Sequence, residues 1–220
     1  MFDKLLRIPH LDLGLEFDAV RMAEEIKIID NFAPYKSKDP ISADLYEKNW
    51  SGASLVSIDG SVFGDMEELK TYPTIEPKKT PLADRCPYLM QILDRLKATS
   101  ERTRIMRIAP KGQLDWHSHV LHHKQNVKRL VVQVPIFLPK EFRYSVINAK
   151  DFNKLKRGES VKTYDMQYQP GKAYIFNSYH PHNVFNPSEE YRITLMTYMS
   201  YDKNKDLIDK AIENYDGPLL

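Results

Sequence analysis

A single cysteine in 220 residues leaves this chain no internal disulfide, so a packed core must hold it and a reducing compartment suits it. Blocks of like charge are missing too: 32 lysines and arginines are interspersed with 30 aspartates and glutamates, a formal charge of +2. That excludes a nucleic-acid-binding stripe and a polybasic membrane anchor. No apolar run approaches membrane-spanning length, and residues 1–13 mix charges with apolar side chains where a signal peptide would build an apolar core. Internal repeats and low-complexity tracts are absent. The expectation is a soluble, cytoplasmic protein in which residues 1–220 form one domain with a full core. The lone thiol, Cys86, has no histidine nearby in sequence and is read as buried and structural.

What is present is a change of rhythm. Residues 17–29 and a segment from Pro87, with Leu89, Ile92, Leu93 and Leu96, carry helical spacing, and Pro87 suits a first turn. Between them, 31–40 reads as a loop, 53–58 as a strand ending at Asp59-Gly60, and 72–81 as an exposed extended stretch. After Ser100 come strands at 103–108, 127–138, 142–147, 161–164, 173–177, 182–186 and 191–201, separated by turn residues such as Pro110-Lys111-Gly112 and Pro170-Gly171. Many short strands at this rhythm predict an all-β sandwich or barrel. Residues 205–215 return to helical spacing. The predicted organisation is a helical flank over 1–100, a mainly β core over about 101–201 and a C-terminal helix over 204–215.

Chemistry gathers at three places. In Pro110-Lys-Gly-Gln-Leu-Asp-Trp-His117-Ser-His119, a turn followed by a short strand would put His117 and His119 on one sheet face. His182 follows a strand and a tight polar turn, 65 residues beyond His117, and His180 stands beside it as a competitor. Ten residues after His182, Arg192 and Thr194 share one face of the final strand, opposite Ile193 and Leu195. Two imidazoles from distant strands can hold a divalent iron and leave coordination positions open. An inward arginine needs an anion, and its planar fork suits the far end of a dicarboxylate. On the central strand Arg129, Val131 and Gln133 share a face, which makes Arg129 and Gln133 polar candidates for the same cavity. For each of these residues a structural salt bridge or a surface histidine is the competing reading.

Three stretches bring the chain close to a known family: Gly112-Gln-Leu-Asp-Trp-His117-Ser-His119, Pro135-Ile136, and Pro170-Gly-Lys-Ala-Tyr-Ile-Phe-Asn177. With His182-Asn-Val-Phe-Asn186 and Arg192, they resemble the aspartyl/asparaginyl/prolyl hydroxylases, over residues 50–201. The resemblance implies a double-stranded β-helix, jelly-roll or cupin-like. It further implies iron(II) on His117 and His182, and 2-oxoglutarate gripped by Arg192 with Thr194. Many members carry aspartate two residues after the first histidine, where this chain has His119. His119 thus stands open between a third metal ligand, a supporting group and a bystander. Gln133 replaces a histidine that some members use on the cosubstrate.

The implied reaction joins O2, iron(II) and 2-oxoglutarate to hydroxylate an amino acid, free or within a peptide, releasing succinate and CO2. Trp50, Trp116 and Tyr179 are candidates for the substrate side, and segments 31–82 and 118–126, the latter with His122 and His123, for specificity. Halogenation or desaturation is also compatible with a missing carboxylate ligand. Two other readings stay open: a cupin-type metal enzyme on His117, His119 and His182 that does not use 2-oxoglutarate, and a metal-free barrel that binds carbohydrate or peptide.

Overall fold

The computed structural model describes residues 1–37, 43–67, 76–98, 102–118 and 129–220. Two antiparallel sheets carry the architecture. The larger runs, in spatial order, β1 (His10–Glu16), β10 (Lys172–Phe176), β7 (Arg129–Phe137), β12 (Arg192–Ser200), β5 (Thr103–Ile108), β3 (Trp50–Ser57) and β2 (Ala33–Pro34), with β4 (Lys78–Lys79) also on β3. The smaller runs β6 (Gln113–His117), β11 (His182–Phe185), β8 (Arg143–Val146) and β9 (Tyr164–Asp165). This is the expected mainly β, double-stranded β-helix core.

Strand alternation divides the apolar residues between two cores. Val132, Val134 and Ile136 of β7, with Leu195 and Met199 of β12, point outward into a core covered by helices. The helices are α2 (Ala19–Ile26), α5 (Pro87–Arg95) and α7 (Lys205–Glu213), which contribute Met22, Leu89, Ile92, Ile208 and Ile212. Each such fully buried aliphatic side chain stabilises the fold by about 1.5–3 kcal/mol. Val131, Met196 and Tyr198 take the other face, where they meet Tyr144, Val146 and Val184 of the smaller sheet. A sheet buried on both faces explains why β7 reads as one long β-branched run and not as a polar–apolar alternation.

Local chemistry sets the helix ends. Asp18 caps α2 by accepting from Arg21 N at 3.0 Å. The Glu25 carboxylate accepts from Tyr88 N (2.6 Å) and Leu89 N (2.9 Å), which satisfies orphan amides at the start of α5 and locks α2 to α5.

Several elements differ from expectation. The helix predicted over 17–29 is confined to Ala19–Ile26, and β1 precedes it as an unexpected strand pairing with β10. Its buried Leu11 and Leu13 alternate with exposed Asp12 and Gly14, a short pattern interrupted by a register shift before Glu16. The strand predicted over 161–164 shrinks to Tyr164–Asp165. Of the stretch 72–81 only residues from 76 are described, and Thr80 is buried. Its Oγ1 accepts from Leu82 N to cap α4 (Pro81–Arg85) and donates to Ser54 O at 2.7 Å. Short helices α1 (Phe2–Leu5), α3 (Ala43–Asn49) and α6 (Phe152–Lys156) were not expected, because runs of four to seven residues hold too few turns to show a period. Among the described residues no helix is long and apolar enough to cross a membrane.

Candidate active site

Between the sheets lies a cavity lined by residues of both. His117 at the end of β6 and His182 at the start of β11 are direct cross-strand partners. Their rings meet edge to face with centroids 4.2 Å apart. His117 Nδ1 bonds Asp115 O at 2.6 Å, and His182 Nδ1 bonds His180 O at 2.8 Å. A carbonyl only accepts, so in each neutral ring Nδ1 carries the proton and Nε2 keeps the lone pair that a metal needs. Burial pushes the His117 pKa below its ordinary 6.5, against a smaller opposing pull from Asp115, so the ring is neutral near pH 7. His182 is fully buried, with Phe176 edge-on at 4.7 Å.

The pairing of these strands is tied down behind the histidines. The register shifts between His182 and Val184, a bulge of the kind that re-aims side chains beside active sites. Asn186, fully buried, donates from Nδ2 to Ala109 O (2.9 Å) and Glu190 O (2.7 Å), and its amide N donates to Gly112 O (2.9 Å). Gly112 is needed for that approach: a Cβ there would lie 2.7 Å from Ala109 O. The turn before β6 and the loop after β11 are thereby joined.

Arg192 opens β12 opposite Ile108, and Thr194 follows opposite Met106. Both line the cavity and both are buried. Arg192 Nη2 donates to Gln133 Oε1 at 2.8 Å, Phe142 lies with its ring centroid 5.2 Å from the guanidinium, and Nε has no hydrogen-bond partner. Gln133 also bonds the Tyr144 hydroxyl. Among the described residues no carboxylate comes within ion-pair distance of Arg192. Burial pulls the Arg192 pKa down, while Tyr144 and Tyr168 partly oppose that pull. Burial also raises both phenols, so they stay neutral. A buried cation that meets only neutral partners is costly by itself, and an anion arriving in the cavity would compensate it.

The structure therefore brings His117, His182, Arg192, Thr194 and Gln133 to one cavity. Arg129, half-buried at the opposite end of β7 and paired with Ser200, is not among the lining residues. His180 turns away from it, its Nε2 against Leu6 O at 3.1 Å. His119, His122 and His123 lie outside the described residues. Trp50 lines the cavity against Tyr35, at 4.3 Å between rings, whereas Trp116 is not part of the lining and Tyr179 is 40% exposed outside it. Among the described residues no three histidine, cysteine, aspartate or glutamate side chains cluster as a metal site would. Sequence reasoning missed Tyr144, Ser178, Arg102 and Arg104, all of which line the cavity. Arg104 was legible in principle, since it falls at strand spacing with Met106 and Ile108.

The model of the family described as aspartyl/asparaginyl beta-hydroxylase matches residues 16–200. No curated protein sequence matches the chain. Among solved structures, a prolyl hydroxylase from Trichoplax adhaerens, in complex with a hypoxia inducible factor oxygen degradation domain peptide fragment, is 11% identical. The match covers 86% of this chain and 80% of that one at a TM-score of 0.53, a likeness of fold. A 2OG-Fe(II) oxygenase family oxidoreductase from Burkholderia pseudomallei gives 0.49 at 10% identity, covering 82% and 77%. A prolyl-4-hydroxylase from Pseudomonas putida gives 0.47 at 13% identity, covering 90% and 95%.

Proposed function

The chain belongs to the aspartyl/asparaginyl β-hydroxylase family and is a non-haem iron, 2-oxoglutarate-dependent hydroxylase; we propose that it hydroxylates an amino acid, free or within a peptide, with release of succinate and CO2. In this reading His117 and His182 would hold the iron through Nε2, the nitrogens that their Nδ1–H bonds to Asp115 O and His180 O leave with a lone pair. Those bonds fix tautomer and ring orientation before a metal arrives. Arg192 would take the distal carboxylate of 2-oxoglutarate, with Thr194 beside it. Gln133, held by Tyr144, keeps the guanidinium aimed into the cavity.

The observation that carries the reading is the buried Arg192 with its unpartnered Nε, in the same cavity as the imidazole pair. A purely structural arginine would be expected to meet a carboxylate. When bound, iron(II) with the keto acid and O2 supplies the oxidising power for an unactivated C–H bond. The chain's own part is to orient the two imidazoles, fix the cosubstrate's far end and exclude water with Met106, Ile108, Val131 and Val184. Arg129 has no part in it. His119 is not required by it, and a three-imidazole cupin-type reaction would depend on that residue.

The test is anaerobic titration with iron(II) and 2-oxoglutarate, then a screen of proline, asparagine, aspartate and peptides under O2 for succinate. Stoichiometric iron that disappears in His117→Ala and His182→Ala, and succinate dependent on 2-oxoglutarate, are expected. Turnover without 2-oxoglutarate, or iron binding and turnover untouched in His182→Ala, would overturn the proposal.

A further inference from the structure

The cavity has a second cationic end. β5 turns Arg104, Met106 and Ile108 toward it, and Arg102, just before the strand, lines it as well. Arg102 is 8% exposed and Arg104 2%. Arg104 Nη1 donates to Asp65 O at 3.1 Å, while Arg102 Nη1 donates to Asp65 O at 3.5 Å and Glu67 O at 3.3 Å. Arg102 also bonds the side chain of Tyr198. Arg104 Nε, fully buried, has no hydrogen-bond partner.

Neither guanidinium has a carboxylate within ion-pair distance among the described residues. Among the described residues, Asp65 is the one carboxylate whose charge reaches both, and its Oδ2 is engaged by Ile58 N at 2.8 Å. Two buried cations therefore share one carboxylate that touches neither, which leaves positive charge in excess at this end. Holding residues 65–67 in place by their carbonyls would need only neutral donors. A pair of buried charges is a costly way to do it unless an anion joins them.

This end is not the cosubstrate's. Arg104 pairs with Met196 and Ile108 with Arg192, so the two cationic rows stand four residues apart on β5, roughly 13 Å of backbone. The carboxylates of 2-oxoglutarate are joined by four carbon–carbon bonds of about 1.5 Å each, too few to fill both ends. Met106, Met196 and Trp50 line the same cavity and offer apolar surface to a carbon skeleton.

We infer that the Arg102–Arg104 end binds a carboxylate of the substrate, so that the molecule hydroxylated is an acid held by that group; this rests on the oxygenase reading above. The carboxylate has two sources: the α-carboxylate of a free amino acid, or an acidic side chain in a peptide.

The test is isothermal titration of the whole protein, loaded anaerobically with iron(II) and saturating 2-oxoglutarate. The probes are proline and asparagine with their C-terminal amides, and N-acetylated, C-amidated peptides containing one aspartate or, in matched peptides, one asparagine in its place. Acids are expected to bind about tenfold or more tightly than amides, because amides cannot form the charge-assisted bonds. Arg104→Met should erase that preference while leaving 2-oxoglutarate affinity within about twofold of the wild type. Arg104→Lys, which keeps the charge, should retain the preference. Arg102→Met supplies the neutral substitution should Arg104→Met not fold.

Tight binding of free acids alone supports the inference with the α-carboxylate as source, and binding of the capped aspartyl peptides supports it with the side chain. Equal affinity for acids and amides, no binding across the panel, or a preference that survives both methionine variants would overturn it. So would a parallel loss of 2-oxoglutarate affinity in Arg104→Met, which would assign Arg104 to the cosubstrate. Failure of the wild type to bind 2-oxoglutarate would remove the oxygenase reading, and this inference with it.

Discussion

Replacing Arg192 with methionine should have opposite effects on the empty and the loaded protein. Without an anion, the guanidinium is a buried charge with one hydrogen bond, to Gln133, and an idle Nε. Methionine fills similar space and removes the charge, although Gln133 Oε1 loses its donor. Relief of the buried charge is worth about 1–4 kcal/mol in comparable cases and an orphaned acceptor costs about 1–3, so apo stability should rise slightly or hold. In a protein of this length a gain of about 1 kcal/mol raises Tm by roughly 2–4 °C. The loaded protein should show the reverse. Two charge-assisted bonds to a carboxylate contribute about 1.5–3 kcal/mol each, so 2-oxoglutarate affinity should fall by about a hundredfold or more. In the wild type, cosubstrate at 100 times its Kd stabilises by about 2.7 kcal/mol, and the variant should lose nearly all of that shift. Thermal melts with and without metal and 2-oxoglutarate read both effects. An apo Tm that drops sharply, with an unchanged cosubstrate-induced shift, would show that Arg192 is a structural residue and the reasoning wrong.

Three further outcomes are expected. Asn186→Ala removes the fully buried amide that donates to Ala109 O and Glu190 O, of which Glu190 O keeps Ser188 Oγ at 3.1 Å, and should cost about 1–3 kcal/mol by urea denaturation together with weakened iron binding; a loss below about 0.5 kcal/mol would show the clamp to be dispensable. Burial lowers the pKa of His10 below its ordinary 6.5, against opposing pulls from Gln167 and Asp12. Its contribution to stability is therefore complete above 6.5 and lost as pH falls through the lower folded value. His10→Phe, packed against Tyr168 and Tyr174, should flatten the decline of Tm below pH 6.5, and an unaltered slope would refute this. The Cys86 thiol is buried and pushed up to about 11 by burial and by Glu25, so a disulfide reagent at neutral pH should label it only as fast as the protein opens.

How much of this was legible beforehand follows from the range of each interaction. The strand rhythm after Ser100 was readable because side chains alternate with a period of two, which local sequence displays directly. The same period put Arg192 and Thr194 on one face, and the structure has both in the cavity. β1 escaped notice because its pattern is short and broken at Glu16, and it is a strand only because β10 offers it an edge. Arg129 had the right parity but the wrong depth: alternation assigns a face, not a position along the cavity.

The sequence by itself determined most of the strands after Ser100, the faces of the final strand and the ten-residue step from His182 to Arg192, since all of these are set by backbone periodicity within neighbouring segments. Only the tertiary structure decided that His117 sits opposite His182, that His180 faces Leu6, and that Arg102 and Arg104 are sealed beside the same cavity. Those outcomes depend on contacts between segments up to 174 positions apart, held by a bulge, a glycine turn and the Asn186 clamp. Free energy shared among distant partners leaves no local period to read.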